Sequence, residues 1–294
     1  MLKNWLHPTN RRVRIFVGIL LAGLFCIQCT QSVTVGGSKL ATTTDATATE
    51  RIEKLAREDH IALLELCLEN YDKNYRDYTC TLIKQEVIRG TQKPEQWMNV
   101  KFMEKPFSVA MRWLEKTPKG ALDNDQVKKL YVPMGDRVLY VEGKYDNKMV
   151  IRISNPLLRG LLGTQKRPPA GKDAMKNTLR PVSLFGFKRG MTSLLGVYRH
   201  AEKKGHLKQE FGGYVKIAGR DAIVLVRYLP AEESYPAKRT EICIDLENLV
   251  PIRIRGFDWD GQCTSRYVYK DVEFNVGLDE TSFTPQANDI ANPK

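Results

Sequence analysis

The sequence predicts a mainly β protein with helices, of the α+β class: a strongly curved, unclosed antiparallel sheet, a half-barrel covered by helices. Three observations carry this. Residues 239–274 hold three consecutive runs of alternating apolar and polar side chains, with short turns between them. Ile242, Ile244 and Leu246 share one parity against Glu241, Cys243 and Asp245, and Ile252 and Ile254 stand against Arg253 and Arg255. A period of two marks a strand with one buried and one wet face. Similar runs recur from residue 78 onward, about ten or eleven in all, and such a sheet needs cover on its apolar side. Finally, the period changes to that of a helix in only two places, a segment in front of the strands and an insertion at about 156–208.

In chain order, Lys3, Arg11, Arg12 and Arg14 precede an uncharged apolar run at 15–27. That run is shorter than the roughly 20 residues of a membrane span, so residues 1–32 read as a signal peptide cut after Ser32, with an uncleaved membrane anchor as the alternative. Cys26 and Cys29 follow Phe25 and Gln28, where a lipobox wants a small residue, and this argues against a lipoprotein. Residues 33–47 read as a flexible tether. Thr47 and Glu50 form a capping box that starts a helix, with Ile61, Leu64, Leu68, Tyr71 and Tyr75 on its apolar face and its end near Asn74.

Strands are predicted at 78–89, 97–103, 107–114, 129–132, 137–141 and 149–153. The third is the cleanest, with Phe107, Val109, Met111 and Trp113 against Ser108, Ala110 and Arg112. Asn155-Pro156 then breaks the pattern. Leu157, Leu158, Leu161 and Leu162 suggest a short helix, 166–176 a basic loop, and Met191, Leu194, Leu195 and Tyr198 a second helix. Strands return at 214–218 and 223–229 before the meander. There the loop Glu247-Asn248-Leu249 should set Ile242 opposite Ile254 and Ile244 opposite Ile252. Residues 48–285 are thus expected to be one domain, followed by a disordered tail at 286–294.

The order of residues in these runs resembles one family. Ile242-Cys243-Ile244-Asp245, Val250-Pro251-Ile252, Phe257-Asp258-Trp259, Tyr267-x-Tyr269-x-Asp271-Val272, Asn275-Val276-Gly277-Leu278 and Phe283 carry the C-terminal half of the resemblance. Asp77-Tyr78-Thr79-Cys80-Thr81-Leu82, Lys84-Gln85-Glu86 and Lys105-Pro106-Phe107-Ser108-Val109 carry the N-terminal half. The chain resembles an exported bacterial domain-of-unknown-function family that is grouped with the periplasmic lipoprotein carriers, the LolA/LolB-like superfamily. The resemblance implies a LolA-like half-barrel and a location in the periplasm or cell envelope. It implies no established chemistry, because fold does not give function.

Charge and cysteine add two expectations. Twelve Lys or Arg and two acids lie between Arg159 and Lys208, within a chain of net charge +12. Nucleic acid is an unsuitable partner outside the cytoplasm, so this basic segment points to an anionic membrane surface. The contact residues would be Lys188, Arg189, Arg199, Lys203 and Lys204. A plain solvated insertion is the alternative. An exported chain meets an oxidising compartment, which makes Cys67 and Cys80 a candidate disulfide, or else two buried thiols. Cys243 and Cys263 have no clear pairing.

No catalytic constellation stands out. There is no His-Glu-x-x-His pair and no Gly-x-Ser-x-Gly elbow. Gly36-Gly37-Ser38-Lys39 and Ala170-Gly171-Lys172-Asp173 lack full phosphate-loop spacing, and Asp258-Trp259-Asp260-Gly261 reads as a hairpin turn more than a calcium loop. His60 beside Asp59 is expected on a solvated helix face. The reading is therefore a non-enzymatic envelope protein with no cofactor and no metal, holding a lipid, acylated protein or other apolar ligand. The groove would be walled by Val109, Met111, Trp113, Ile242, Ile244, Ile252 and Ile254, with Arg112, Arg253 and Arg255 outward. Helices that fill the groove completely are the competing picture. The rival function is a structural or interaction module that binds an acidic polymer or protein through the basic insertion. An uncharacterised hydrolase comes third.

Overall fold

The computed structural model describes residues 43–119, 127–232 and 235–293. The signal peptide or anchor, its cleavage point, Cys26, Cys29, the Gly36-Gly37-Ser38-Lys39 stretch and the tether up to residue 42 lie outside the described residues. The chain divides into two compact units, Met1–Arg51 and Ile52–Lys294. Of the first, the described part is the opening of helix α1 (Thr43–Glu58). That helix begins four residues before the expected capping box, inside the expected tether, where Ala46, Ala48 and Glu50 favour helix.

Helix α2 (His60–Asn74) is a separate element. Asp59 breaks the expected single helix: its backbone is extended (φ −151°, ψ 90°) and its carboxylate accepts from the Ala62 N–H. The side chains that α2 buries are His60, Leu63, Leu64, Cys67 and Tyr71. This stripe is rotated about one residue from the expected one, leaving Ile61 and Leu68 half-buried.

The strands follow as β1 (Asp77–Ile88), β2 (Thr91–Gln92), β3 (Gln96–Met103), β4 (Ser108–Trp113), β5 (Gly135–Val141) and β6 (Met149–Ile153). After helix α3 (Pro156–Leu162) come β7 (Gln165–Arg167), helix α4 (Phe187–Lys203), β8 (Lys208–Ile217) and β9 (Arg220–Tyr228). Strands β10 (Arg239–Asp245), β11 (Pro251–Phe257) and β12 (Cys263–Phe274) close the series. Among the described residues they make one open antiparallel sheet in the order β7-β6-β5-β4-β3-β1-β12-β11-β10-β9-β8, with β2 added beside β1. The expected strand at 129–132 is only an isolated bridge between Lys129 and Lys116. Pro133 follows at once and cannot donate to a ladder.

This order explains how the sheet is covered. β7 and β8 are its opposite edges, so the chain between them must cross the sheet. α4 lies on that crossing and buries Phe187, Met191, Leu194, Leu195, Tyr198 and Ala201, joining α2 in one core with Ile223, Leu225, Ile242, Ile244 and Ile252. At the start of α4, Phe187 sits 4.9 Å from the Tyr78 ring and 4.7 Å from the Tyr269 ring, while Tyr78 stacks on Phe102 at 4.8 Å. Gly186 makes this approach possible. Its φ is +104°, and a Cβ there would lie 2.7 Å from Phe102 Cζ, a ring that is itself fully buried. Gly186→Ala is therefore expected to cost about 2 kcal/mol through strain and overpacking, read as a lower urea midpoint at unchanged slope. An unchanged midpoint would show that the Phe102 ring gives way freely.

The register departs from expectation at one place. Ile242 pairs with Ile254 as expected, but Ile244 pairs with Pro251, and a bulge accommodates Ile252. Asp245 and Val250 close the turn, the Asp245 carboxylate accepts from the Glu247 N–H at 3.0 Å, and Leu249 takes a left-handed φ of 52°. Despite the bulge Ile252 stays inward and buried.

The opposite face is not uniformly wet. Ala110, Leu139, Val141 and Val150 point there and pack with Phe283 and Ile290 in a second cluster. The expected disordered tail thus includes a packed segment: Gln286–Asn288 form a 3-10 turn and Ile290 is 2 % exposed. The apolar outer residues of β4, β5 and β6 require that cover. Further along, Glu241 pairs with Arg239 at 3.1 Å and with Arg255, and Asp245 pairs with Arg220 at 2.5 Å. Arg253 and Arg255 do take the outer parity, half-buried, and Arg112 is exposed there.

Cys67 and Cys80 are free thiols, as are Cys243 and Cys263, so the candidate disulfide is absent. Cys67 is on the buried stripe of α2 and Cys80 on the inward face of β1, and burial pushes the Cys67 thiol up to about 12.

Candidate ligand cavity

The helices cover only part of the inner face. Beside them a cavity of about 610 Å³ opens against β1, β3, β4, β5, β6, β11 and β12. So many strands can reach one cavity only because the sheet curves around it. Its apolar wall includes Leu82, Met98, Met111, Trp113, Val138 and Ile151, and the segment leading into α4 supplies Val182 and Phe185. A volume in the range of about 300–1,000 Å³ with a mostly apolar lining suits a small ligand.

One end of the cavity is polar. Leu82, Lys84 and Glu86 alternate inward along β1. Lys84 Nζ lies 3.3 Å from Glu86 Oε2 and donates to Thr178 Oγ1 at 3.2 Å. The Tyr267 hydroxyl donates to Glu86 Oε1 at 2.5 Å. Burial, then the neighbouring Glu86 charge, pushes the Tyr267 phenol well above its ordinary range, so it stays protonated. The Arg180 guanidinium stands 5.8 Å from the Tyr267 ring centre. Trp113 Nε1 donates to Gln96 Oε1 at 2.8 Å, which holds both side chains at the cavity wall. Lys84, Glu86 and Arg180 together leave one excess positive charge at this end. An apolar cavity that carries a hydrogen-bonded, net cationic cluster can hold an amphiphile with an anionic head.

Met111, Trp113 and Ile254, of the seven groove residues read from the sequence, line this cavity. Val109, Ile242, Ile244 and Ile252 do not; each is at most 1 % exposed and packs in the closed core. The two competing pictures therefore hold in different parts of the sheet. The inward residues of β9 and β10, with Val109 and Ile252, are closed in with α2 and α4, while Met111, Trp113 and Ile254 face open space. Sequence reasoning missed the polar end, although it left a signal. Lys84 and Glu86 continue the inward parity of Tyr78, Cys80 and Leu82, and charged residues at inward positions of a strand mark a buried polar function.

Four of the five basic residues expected to meet a membrane hold a carboxylate in the structure. Lys188 pairs with Asp72 at 2.7 Å, Arg189 with Glu142 at 3.3 Å, Arg199 with Glu65 at 2.5 Å and Lys204 with Glu232 at 2.9 Å. Arg189 also covers the Phe107 ring at 3.6 Å and bonds the Ser183 carbonyl. Only Lys203 has no such ion pair among the described residues. These contacts tie α4 and its end to α2 and to the loops after β5 and β9, so the row is not a free cationic strip.

His60 is the other correction. It is fully buried rather than solvated, because the break at Asp59 turns the first residue of α2 toward α4. Its Nε2 lies 2.9 Å from the Ala56 carbonyl and its Nδ1 3.2 Å from the Tyr198 hydroxyl. A carbonyl only accepts, so Nε2 carries the proton and Nδ1 accepts from Tyr198. The Asp258 carboxylate caps its own turn, accepting from the Asp260 and Gln262 N–H groups at 3.1 and 2.8 Å.

Residues 75–293 match a family described as a protein of unknown function, DUF1571. The chain belongs to this family. The match begins two residues before the first residue of the expected resemblance, Asp77, and runs ten past its last, Phe283, so it takes in the packed tail. No curated protein matches the chain. Among solved structures, Pseudomonas aeruginosa MucB in its complex with MucA is similar over 84% of this chain and 62% of that one, at 11% identity and a TM-score of 0.39. The chain thus spans less than two thirds of MucB. The lipoprotein LppX of Mycobacterium tuberculosis is similar over 75% of this chain and 99% of its own length, at 12% identity and a TM-score of 0.40. A putative outer membrane lipoprotein-sorting protein domain from Vibrio parahaemolyticus is similar over 76% and 97%, at 11% identity and a TM-score of 0.30. At such identities these likenesses concern the course of the chain and not its ligands.

Proposed function

We propose that this protein is a non-enzymatic, exported component of the cell envelope that binds an acyl chain with an anionic head in the cavity between β1, β3–β6 and β12. The observation that carries the reading is the pairing of an apolar cavity of about 610 Å³ with the Lys84–Glu86–Tyr267 cluster and Arg180 at its end. Each buried methylene contributes about 0.8 kcal/mol, so roughly ten would give about 8 kcal/mol and a dissociation constant near a micromolar. The carboxylates already seated on Lys188, Arg189, Arg199 and Lys204 leave the α4 end of the basic insertion less open to an acidic polymer or protein.

The test is native mass spectrometry of the chain purified from its own envelope, followed by lipid extraction. The expected result is one lipid per chain. In vitro, Met111→Glu is expected to weaken palmitate binding by about tenfold or more, since it sets a carboxylate in the apolar wall. The folded variant should melt close to the wild type because Met111 is only partly buried. Hexadecanol should bind more weakly than palmitate, and Lys84→Met should erase that difference. Lipid-free protein from the envelope, together with no saturable palmitate binding, would end the proposal.

A further inference from the structure

Helix α3 is fully formed and buries none of its side chains. Asn155 caps it, accepting from the Leu158 N–H at 3.1 Å, and Pro156 occupies its first turn. Four of its seven residues are leucines. Leu157 and Leu161 are 83% and 80% exposed, and Leu162 is 51% exposed. Apolar side chains this exposed on one short helix mark a surface built to be covered. Leu162 also lines the cavity, as do the exposed side chains of Met134 and Leu184, so this apolar patch continues into the cavity mouth.

The charge around it points to what covers it. Residues 156–180 hold six Lys or Arg and one acid, Asp173. Unlike Lys188, Arg189 and Arg199 of α4, Lys172, Lys176 and Arg180 are exposed and have no ion pair among the described residues. The two acids that do approach this segment are distant partners: Arg167 and Asp173 are 3.9 Å apart, and Lys166 and Asp146 are 3.7 Å apart. Exposed leucines followed in the chain by unpaired cations fit the boundary of an anionic bilayer, with the leucines among the acyl chains and the cations on the phosphates.

We propose that α3 and the basic turn after it dock this protein on an anionic lipid bilayer, with Leu157 and Leu161 inserted and the cavity mouth facing the membrane. A chain could then pass between bilayer and cavity beside Leu162 without crossing water. The docking surface does not depend on what the cavity holds.

The full chain carries an apolar N-terminal stretch, so the readout must be local. Hydrogen–deuterium exchange is followed by mass spectrometry for residues 156–180, with and without phosphatidylcholine vesicles containing phosphatidylglycerol. Exchange there is expected to slow on anionic vesicles, to stay unchanged on pure phosphatidylcholine, and to recover as salt screens the charges. The double variant Leu157→Asp, Leu161→Asp should lose the local protection and bind anionic vesicles about tenfold or more weakly. Its melting and its palmitate binding should match wild type, because neither leucine is buried or lines the cavity. Lys172→Gln with Lys176→Gln should also weaken the protection, whereas Arg199→Gln and Lys203→Gln on α4 should not. The proposal is overturned if residues 156–180 exchange alike with and without vesicles, or if the leucine variant keeps full protection. Self-association that the leucine variant abolishes, without vesicle protection, would assign the patch to a second copy of the chain and equally overturn it.

Discussion

Ile244→Asp is expected to leave the protein largely unfolded at room temperature. Ile244 is fully buried in β10, opposite Ile223 and under the α2–α4 layer. The substitution removes an apolar side chain from a packed core and places a carboxylate there. The inward cation on the neighbouring strand β9, Arg227, sits opposite Thr240, four residues along the strand and about 13 Å away by strand rise. It is too far to pair with the new charge. Loss of packing and burial of an unpaired acid together should cost about 5 kcal/mol, comparable with the whole stability of a domain at the low end of the usual range. Ile254→Asp makes the informative comparison. Ile254 belongs to the same inward set but borders the open cavity and is only partly buried, so water reaches the new carboxylate and the loss should be smaller. Urea unfolding followed by circular dichroism decides the matter. Equal losses at the two sites would mean the sheet is not divided into a filled and an open part, and a wild-type midpoint for Ile244→Asp would refute its burial.

That division is the part of the architecture the sequence could not display. Alternation says which residues share a face, and it does so well here: Ile242, Ile244, Ile252 and Ile254 are all on one side, as are Val109, Met111 and Trp113. It does not say what lies above them. The cover depends on where α4 lands after crossing from one edge of the sheet to the other, a long-range fact with no local period. The same limit applies to the outer face. The run Val138-Leu139-Tyr140-Val141 is apolar at both parities, a pattern that asks for cover on two sides. The cover comes from Phe283 and Ile290, more than 140 residues later.

The candidate site was legible in part for a related reason. Reading for apolar alternation finds Met111 and Trp113 and passes over Lys84, Glu86 and Tyr267, because polar residues at inward positions look like breaks in the pattern. Once the register is known the same residues become the most informative ones, since a charge kept inward must have a partner or a task. The basic segment went the other way. Its charge was plain in the sequence, but charge alone cannot separate cations that already hold carboxylates, as on α4, from cations that do not, as between Lys172 and Arg180. The break at Asp59 shows how local a correction can be. One extended residue turned His60 from a presumed surface histidine into the centre of the α1–α2–α4 junction.

Stability is expected to fall as the pH drops from about 6.5 to about 4, and His60 is the cause. Burial is the largest influence on it and brings its pKa down from 6.5 to about 4; the Ala56 carbonyl and the Asp59 charge oppose this, and Arg227 reinforces it. The folded protein thus keeps the ring neutral over a range in which the unfolded chain protonates it. In that window the unfolded state binds the extra proton, so lowering the pH favours unfolding. The contribution is fully present above about 6.5 and is lost progressively down to about 4, a total of about 3 kcal/mol. Two partly exposed carboxylates, Glu53 held low by its Tyr214 hydrogen bond and Glu232 by its Lys204 hydrogen bond, act in the same sense but only at the acid end of this window and below it. Burial of Asp136 raises its pKa, but Arg152, Arg137 and a backbone hydrogen bond together hold it below the ordinary carboxylate range, so it matters only in stronger acid. Glu104 is raised by burial, so its contribution declines as pH rises. A single-site comparison isolates the histidine. His60→Gln keeps a donor that can reach the Ala56 carbonyl and removes the titration. Its stability should be lower than wild type at neutral pH, through imperfect packing, yet nearly independent of pH between about 5 and 6.5 apart from the Glu104 effect. Parallel pH profiles for the two proteins would show that His60 does not titrate differently on folding, and would remove the buried neutral imidazole from the account of how α2 and α4 are joined.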